Sequence, residues 1–396
     1  MNKESAYWMV LAHELPTWSF SNKDGWKNED KMNLIIQFYH DKKMSIEDFF
    51  GLPEDCWKND FLINEKQITD LRNAKSSIAN YAFLSENLQH NGIEVIPVTS
   101  SEYSKTLKEN LKKSAPVIAY IKGSRQIMSN KSIAIVGSRN ASDIALTFTD
   151  NIAKQASKEQ KVVVSGFAKG VDKQALDSAI AYKGQSIIVL PQGIMTFESG
   201  FKSYYKQIIE GDVLVLSIFH PKAGWGKDLA MARNHIIYGL SKEIYVAESK
   251  PSKNRQGQET KGGTWAGVID GLKKGRTIYV RQPNVTEKND NPVLIQKGAL
   301  PVDIEGNIIG RSETIAETLT EIPNTQNNDK SFSDKVKEIL LHGQLSANDI
   351  LKRLKLDWKS DKLTRELKKL DFIETRKEKN KIYFALKNAK QSSLFD

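Results

Sequence analysis

Residues 132–142 read SIAIVGSRNAS, and residues 161–172 read KVVVSGFAKGVD. Each is a short, continuous apolar run that ends in a glycine turn and gives way to helical patterning. A β-branched run without polar alternation is the signature of a strand buried on both faces. Two such runs, each followed by a helix, predict parallel strands joined by crossovers.

The pattern repeats outward from this pair. Apolar runs stand at 132–136, 161–164, 186–190, 213–217, 243–247 and 277–280. Helical patterning fills 142–157, 172–182, 201–209, 229–240 and 265–273. The spacing predicts an α/β fold: a Rossmann-like, mostly parallel sheet covered by helices on both faces. Ligands of such sheets lie outside the carboxyl ends of the strands, so the turns after the strands are where a site belongs. Upstream, GIEVIP at 92–97 and PVIAYI at 116–121 read as lead-in strands that close a mainly helical stretch. The expected organisation is an N-terminal mainly helical region 1–130, a core 131–312, a linker 313–330, a basic domain 331–390 and a tail 391–396. The linker contains NTQNNDK, polar and without periodicity.

A chain of 396 residues suits two or three domains. With 39% hydrophobic and 27% charged residues it has enough apolar material for a large core, which excludes fibrous and wholly disordered classes. The single Cys56 excludes an internal disulfide and a cysteine metal cluster. The first residues lack a signal-peptide pattern, and the longest apolar runs are strand-sized. No membrane span is expected, and a cytoplasmic location is the default. The net charge is +10, and residues 331–390 carry 16 Lys/Arg against 9 Asp/Glu. A basic terminal domain points to a polyanion, most often nucleic acid; a solubilising surface is the bland alternative.

Four turns carry anion-binding chemistry. In the first, Gly137 permits a tight turn, Ser138 offers a hydroxyl and Arg139 a planar fork for phosphate oxygens. Ser142 caps the following helix, a role compatible with anion binding at its start. In the second, Gly166 and Gly170 bracket Lys169, with Asp172 as the expected helix cap. The third places Arg233 and Asn234 near a helix start, with Ile236, Ile237 and Leu240 toward the core. The fourth, Gly262-Gly263-Thr264, either holds an anion at a helix start or is a turn with Thr264 as cap. If their strands are neighbours, Arg139 and Lys169 share one sheet edge and make an electropositive pocket.

Several chemistries are excluded. A P-loop pattern is absent, GxGxxG does not follow the first strand, and neither HExxH nor a Cys/His metal spacing occurs. Ser165 lacks both glycines of a nucleophile elbow. His235, on the Arg233 helix, reads as structural. No acid–base pair stands out, so no enzyme, cofactor or metal is expected.

IAIVGSR, VVVSGFAKGVDKQA, the PQG turn after SIIVL, ARNHIIYGLS and LIQKGA occur in the order of the DprA/Smf proteins, and the resemblance covers about 92–302. That family consists of DNA-processing proteins that load recombinase onto single-stranded DNA. The resemblance implies a single-stranded DNA pocket formed by Arg139, Lys169 and Arg233, with Gly137, Ser138, Gly166 and Gly170 shaping its loops. It further implies a homodimer and a RecA-type partner. The chain departs from the family pattern at His235, in the stretched loop before Gly267, and in the PQGIMTF turn. These differences bear on the last wall of the pocket and on ligand choice.

The basic domain reads as three helices and a hairpin and resembles a winged helix. Its third helix, 361–370, presents Lys362, Arg365, Lys368 and Lys369 opposite Leu363, Leu367 and Leu370. Such a helix contacts duplex DNA in a major groove, serves protein interaction, or simply carries a solvated basic face. The tail, QSSLFD, resembles the bacterial sliding-clamp-binding peptide through Gln391, Leu394 and Phe395. The leading functional expectation is a non-enzymatic single-stranded DNA binder. The alternatives are a nucleotide sensor or LOG-like nucleotide phosphoribohydrolase on the same fold, and a sequence-specific regulator acting through the terminal domain.

Overall fold

Among the described residues of Met1–Glu313 there are eleven short strands, and the apolar runs explain the burial of the central ones. They are β1 (Glu94–Pro97), β2 (Ile118–Lys122), β3 (Ser132–Val136), β4 (Val162–Ser165), β5 (Ser186–Val189), β6 (Val213–Ser217), β7 (Glu243–Val246), β8 (Ser252–Lys253), β9 (Glu259–Thr260), β10 (Thr277–Arg281) and β11 (Leu300–Val302). The computed structural model describes residues 3–17, 22, 25–250, 252–253, 259–260, 262–309, 336, 339–340, 344–354, 360–368, 370, 372–378 and 381–386.

Nine of these strands form one sheet in the order β1-β2-β6-β5-β4-β3-β7-β10-β11. The pairs from β6 through β11 are parallel. The lead-in strands β1 and β2 pair antiparallel with each other, and β2 continues antiparallel onto β6. The central strands β4, β5 and β6 are buried along their whole length, as their unbroken apolar sequences require. The chain runs from β3 outward through β4, β5 and β6, then returns to place β7 on the other side of β3. The switch point of the sheet is therefore the crevice beyond the carboxyl ends of β3 and β7.

The crossover helices follow the expected segments with small shifts. Ser142 caps the helix Asp143–Lys158 by accepting from the Ala145 amide. The expected helix at 201–209 is two short helices, Glu198–Ser203 and Tyr205–Glu210, broken at Tyr204. The Tyr204 hydroxyl donates to Asp177, and its ring packs on Phe167, which fixes the break.

The N-terminal helices share one apolar cluster with the sheet, running from Trp8 and Phe49 to Leu176 and Val215. His13, at the end of the helix Lys3–His13, bonds the Tyr120 hydroxyl of β2 at 2.9 Å and meets the His220 ring edge-on. Burial, with help from His220 and Lys31, pulls the His13 imidazole down to about 3.

The second compact unit, Thr314–Asp396, is described separately. Its sheet has the order β12-β14-β13, formed by β12 (Leu345–Ser346), β13 (Ile373–Glu378) and β14 (Lys381–Leu386). Ser346 and Asp349 form a reciprocal cap for the helix Ala347–Leu354. The helix Ser360–Leu367 buries Leu363 and Leu367 beside Phe384. Arg365 and Lys368 are exposed, while the Lys362 side chain, Lys369, the linker segment 324–330 and the tail residues Gln391, Leu394 and Phe395 lie outside the described residues. Among the described residues no helix is long and apolar enough to cross a membrane.

Candidate nucleic-acid interface

A pocket of about 600 Å³ opens at the switch point. All four predicted turns line it, the second through Ala168 and Asp172. The walls come from Gly137–Asn140 after β3, from Lys250 after β7, from the helix Lys227–Leu240, and from Gly262–Thr264 at the start of the helix Gly263–Lys273. Sequence-distant turns converge here because β3, β4 and β7 are adjacent strands whose carboxyl ends share one edge.

Backbone contacts lock these turns together. The Ser138 amide donates to the Glu248 carbonyl at 2.8 Å, and the Val171 amide donates to the Ser138 carbonyl at 3.2 Å. Gly170 has φ +85, and a Cβ there would lie 2.4 Å from the Ser138 carbonyl oxygen, so only glycine fits this crossing. Thr264 does not cap its helix. Gly262 is the N-cap residue, no side chain caps the helix, and the Thr264 hydroxyl donates to the Gly137 carbonyl at 3.2 Å. The Thr264 bond thus ties the helix start to the first turn.

The cations sort into two kinds. Arg139 is exposed and lines the pocket. Lys169 is exposed on the abutting turn but does not line the pocket itself. Arg233 departs from the sequence reading: it sits in the middle of its helix, only 3% exposed, with Nη1 3.2 Å from the Asp172 carboxylate. Asp172 is not the helix cap either. Gly170 holds that position, and Asp172 points inward to Arg233. Burial pushes the Asp172 carboxyl above its ordinary value, against the pull of Arg233 and Arg139. Gly166 shapes this pair rather than an open loop, because a Cβ there would fall 0.9 Å from Arg233 Nη1. Asn234 lines the pocket with its amide nitrogen 3.5 Å from the Gly263 carbonyl.

Three lining residues escaped the sequence reading. Lys250 pairs with Glu248 at 2.9 Å and donates to the Asn140 carbonyl at 2.8 Å. Glu248 is buried and also accepts from the Ser142 hydroxyl at 2.6 Å. Lys227 and Trp225 complete the rim, and Trp225 is 58% exposed. The available signal was the partial Gly224-Trp225-Gly226 motif and a lysine just after the fifth core strand, and neither has a distinctive spacing. Among the described residues no cluster of His, Cys, Asp and Glu is arranged to hold a metal ion. Ser165 is buried, with its hydroxyl donating to the Ile135 carbonyl at 2.7 Å, which leaves it no role as a nucleophile. His235 is exposed and stands 3.2 Å from Asp270.

Comparison with known proteins places this geometry in context. The family model described as DNA recombination-mediator protein A matches residues 94–312. The DNA processing protein DprA of Streptococcus pneumoniae is 29% identical over 187 residues, 47% of this chain and 63% of that protein. The DprA of Bacillus subtilis is 27% identical over 211 residues, 52% of this chain and 67% of that protein. The X-ray structure of the Streptococcus pneumoniae protein superposes with a TM-score of 0.49 at 23% identity, covering 70% of this chain and 95% of that one.

Proposed function

The chain belongs to the DNA recombination-mediator protein A family, and from that premise we propose that it binds single-stranded DNA in the switch-point pocket as a non-enzymatic mediator. One observation carries the reading. Arg139, Lys227 and Lys250, a helix start without a side-chain cap, and an exposed Trp225 all surround one pocket of nucleotide size. Cations and helix amides suit phosphates, and a flat indole suits an unstacked base. A duplex keeps its bases stacked inside, so only an unpaired strand uses both features. Lys169 on the abutting turn extends the positive rim along the strand path.

The finer parts of the proposal follow the family. The bound strand is handed to a RecA-type recombinase, the working form is a homodimer, and the location is cytoplasmic. The terminal unit is a winged helix whose exposed Arg365 and Lys368 meet duplex DNA or a protein, and the Gln391–Phe395 tail docks on a sliding clamp. The competing nucleotide-hydrolase reading is weakened at Pro191–Glu198, the stretch nearest to that enzyme family's PGGxGTxxE motif: it lacks a glycine and has the wrong length, and Glu198 does not line the pocket. A nucleotide sensor remains the sharper rival, since the pocket volume suits one nucleotide.

The test is fluorescence anisotropy with oligothymidylate, the matching duplex and thymidine monophosphate as competitor. The proposal expects the single strand to bind most tightly, with affinity falling as salt rises. Tight binding of the mononucleotide with no preference for the strand would overturn it in favour of the sensor.

A further inference from the structure

A second cavity, of about 270 Å³, lies away from the switch-point pocket, between the helix Ile78–His90 and the loop that leaves β6. Asn80, Phe83, Leu84 and Asn87 line it at helical spacing from one face of that helix, and His220 and Lys222 line it from the loop. The helix lies outside residues 94–312, the family-matched core. Phe83 is 72% exposed here, while its neighbour Leu84 is buried. The loop is held by the Pro191-Gln192-Gly193 turn, which takes no part in the first pocket. The Gly193 amide donates to the Ala223 carbonyl at 2.8 Å, and the Met195 amide donates to the Pro221 carbonyl at 3.0 Å. A Cβ at Gly193 would lie 2.3 Å from the carbonyl oxygens of both His220 and Pro221, so glycine lets the two turns meet. Lys222 thus stands on a fixed loop, and three residues further along it Trp225 lines the switch-point pocket. Three residues span at most about 11 Å. An unpaired strand leaving the pocket past Trp225 therefore meets Lys222 within its next few nucleotides. Lys222 and Lys227, both exposed, bracket this stretch with positive charge.

The polar groups of the cavity suit a base better than a phosphate. Glu14 lines it as an acceptor that repels an anion; its carboxylate accepts from the Tyr81 hydroxyl at 2.8 Å and from Ser77 at 3.2 Å. Asn87 accepts from Asn91 through its side-chain oxygen at 2.9 Å, which leaves its own N–H groups to donate. His220 accepts the Lys222 amide at Nδ1, 3.3 Å away, and burial holds the imidazole below its ordinary value, so the neutral ring carries its proton on Nε2. Donors beside an acceptor match the edge of a nucleobase, and the exposed Phe83 ring offers a face on which any base stacks.

We propose that this cavity is a second strand subsite, where one base stacks on Phe83 and meets Asn80, Asn87 and Glu14 at its edge while Lys222 contacts the adjoining phosphate. The subsite rests on the single-strand reading above and carries the strand path onto the N-terminal helices. The experiment measures anisotropy of labelled oligothymidylates from about 4 to about 16 nucleotides with the full chain, wild type and Phe83→Ala. Phe83→Ala weakens the longest strand about tenfold and leaves the shortest within about twofold, because only a long strand reaches both places. On an abasic strand of the longest length the two proteins bind alike. Lys222→Ala weakens the longest strand with and without its bases. Wild-type affinity of Phe83→Ala at every length, an equal loss at every length, or an equal loss on the abasic strand would overturn the subsite and leave the switch-point pocket intact. A lower sedimentation coefficient of ligand-free Phe83→Ala would also overturn it, by assigning Phe83 to contact between copies of the chain. Failure of the wild type to bind any length would sink the single-strand reading itself.

Discussion

At the residue scale the buried Arg233–Asp172 pair organises the pocket. Removing one member of a buried ion pair leaves the other charge without a counterpart, at a cost of about 3–5 kcal/mol. Arg233→Ala is therefore expected to lower the unfolding free energy by about that amount, measured by urea denaturation. A loss of binding with no loss of stability would instead return Arg233 to the role of a free phosphate contact. Gly166→Ala reports on the same pair. Its new methyl would occupy the space of Arg233 Nη1, and the guanidinium must leave Asp172. The expected outcome is a stability loss approaching that of Arg233→Ala; wild-type stability would contradict the packing described here. Neither contact was legible in the sequence. Asp172 two residues after a glycine has the pattern of a cap, and an arginine on a helix has the pattern of a surface cation. Only the approach of the Lys227–Leu240 helix to the β4 turn turns both inward.

At the element scale the strand–helix alternation was legible because burial on both faces leaves the strands no polar positions. The lead-in strands β1 and β2 were legible as strands, but their antiparallel junction with β6 depends on partners distant in sequence. The strap after β7 was not legible. It is held by Asn291, whose side chain accepts from the Ser249 amide at 2.8 Å and donates to the Ala247 carbonyl at 3.1 Å. Arg281 adds a donation to the same carbonyl at 3.0 Å and pairs with Glu287. These bonds position Lys250 without touching the pocket. Asn291→Ala is expected to weaken strand binding severalfold, with a loss of stability of about 1–3 kcal/mol for the buried groups left unpaired. Unchanged affinity in a folded variant would show that the strap is not what places Lys250.

A second element-scale prediction concerns the seam between the first helix and β2. The His13 imidazole is held at about 3 in the fold and returns to about 6.5 on unfolding. Between those values the unfolded chain binds more protons, so stability is full above about pH 6.5 and is lost as pH falls toward 3. The contribution is at most about 1.4 kcal/mol per pH unit in that window. His13→Gln should flatten the acid limb of a denaturation series, and an unaltered limb would assign the acid sensitivity elsewhere.

At the scale of the whole molecule, the excess of positive charge and the pocket at the switch point act together. The net charge of +10 raises the encounter rate with any polyanion, while the pocket supplies the contacts that select an unpaired strand. The fold class and the convergence of the turns were legible from spacing and from the order of the motifs. The division between exposed rim cations and the buried Arg233–Asp172 pair was not, because it depends on which side chains the packing buries. The most direct test of the account is the salt dependence of oligothymidylate binding to the wild type and to the Arg139→Ala/Lys227→Ala double variant, both residues being exposed on the rim. Each lost phosphate contact reduces the slope of log K against log salt by about 0.7, so the double variant should show a slope shallower by about 1.4 together with weaker binding. The wild-type slope and affinity in that variant would contradict the assignment of the strand to this pocket.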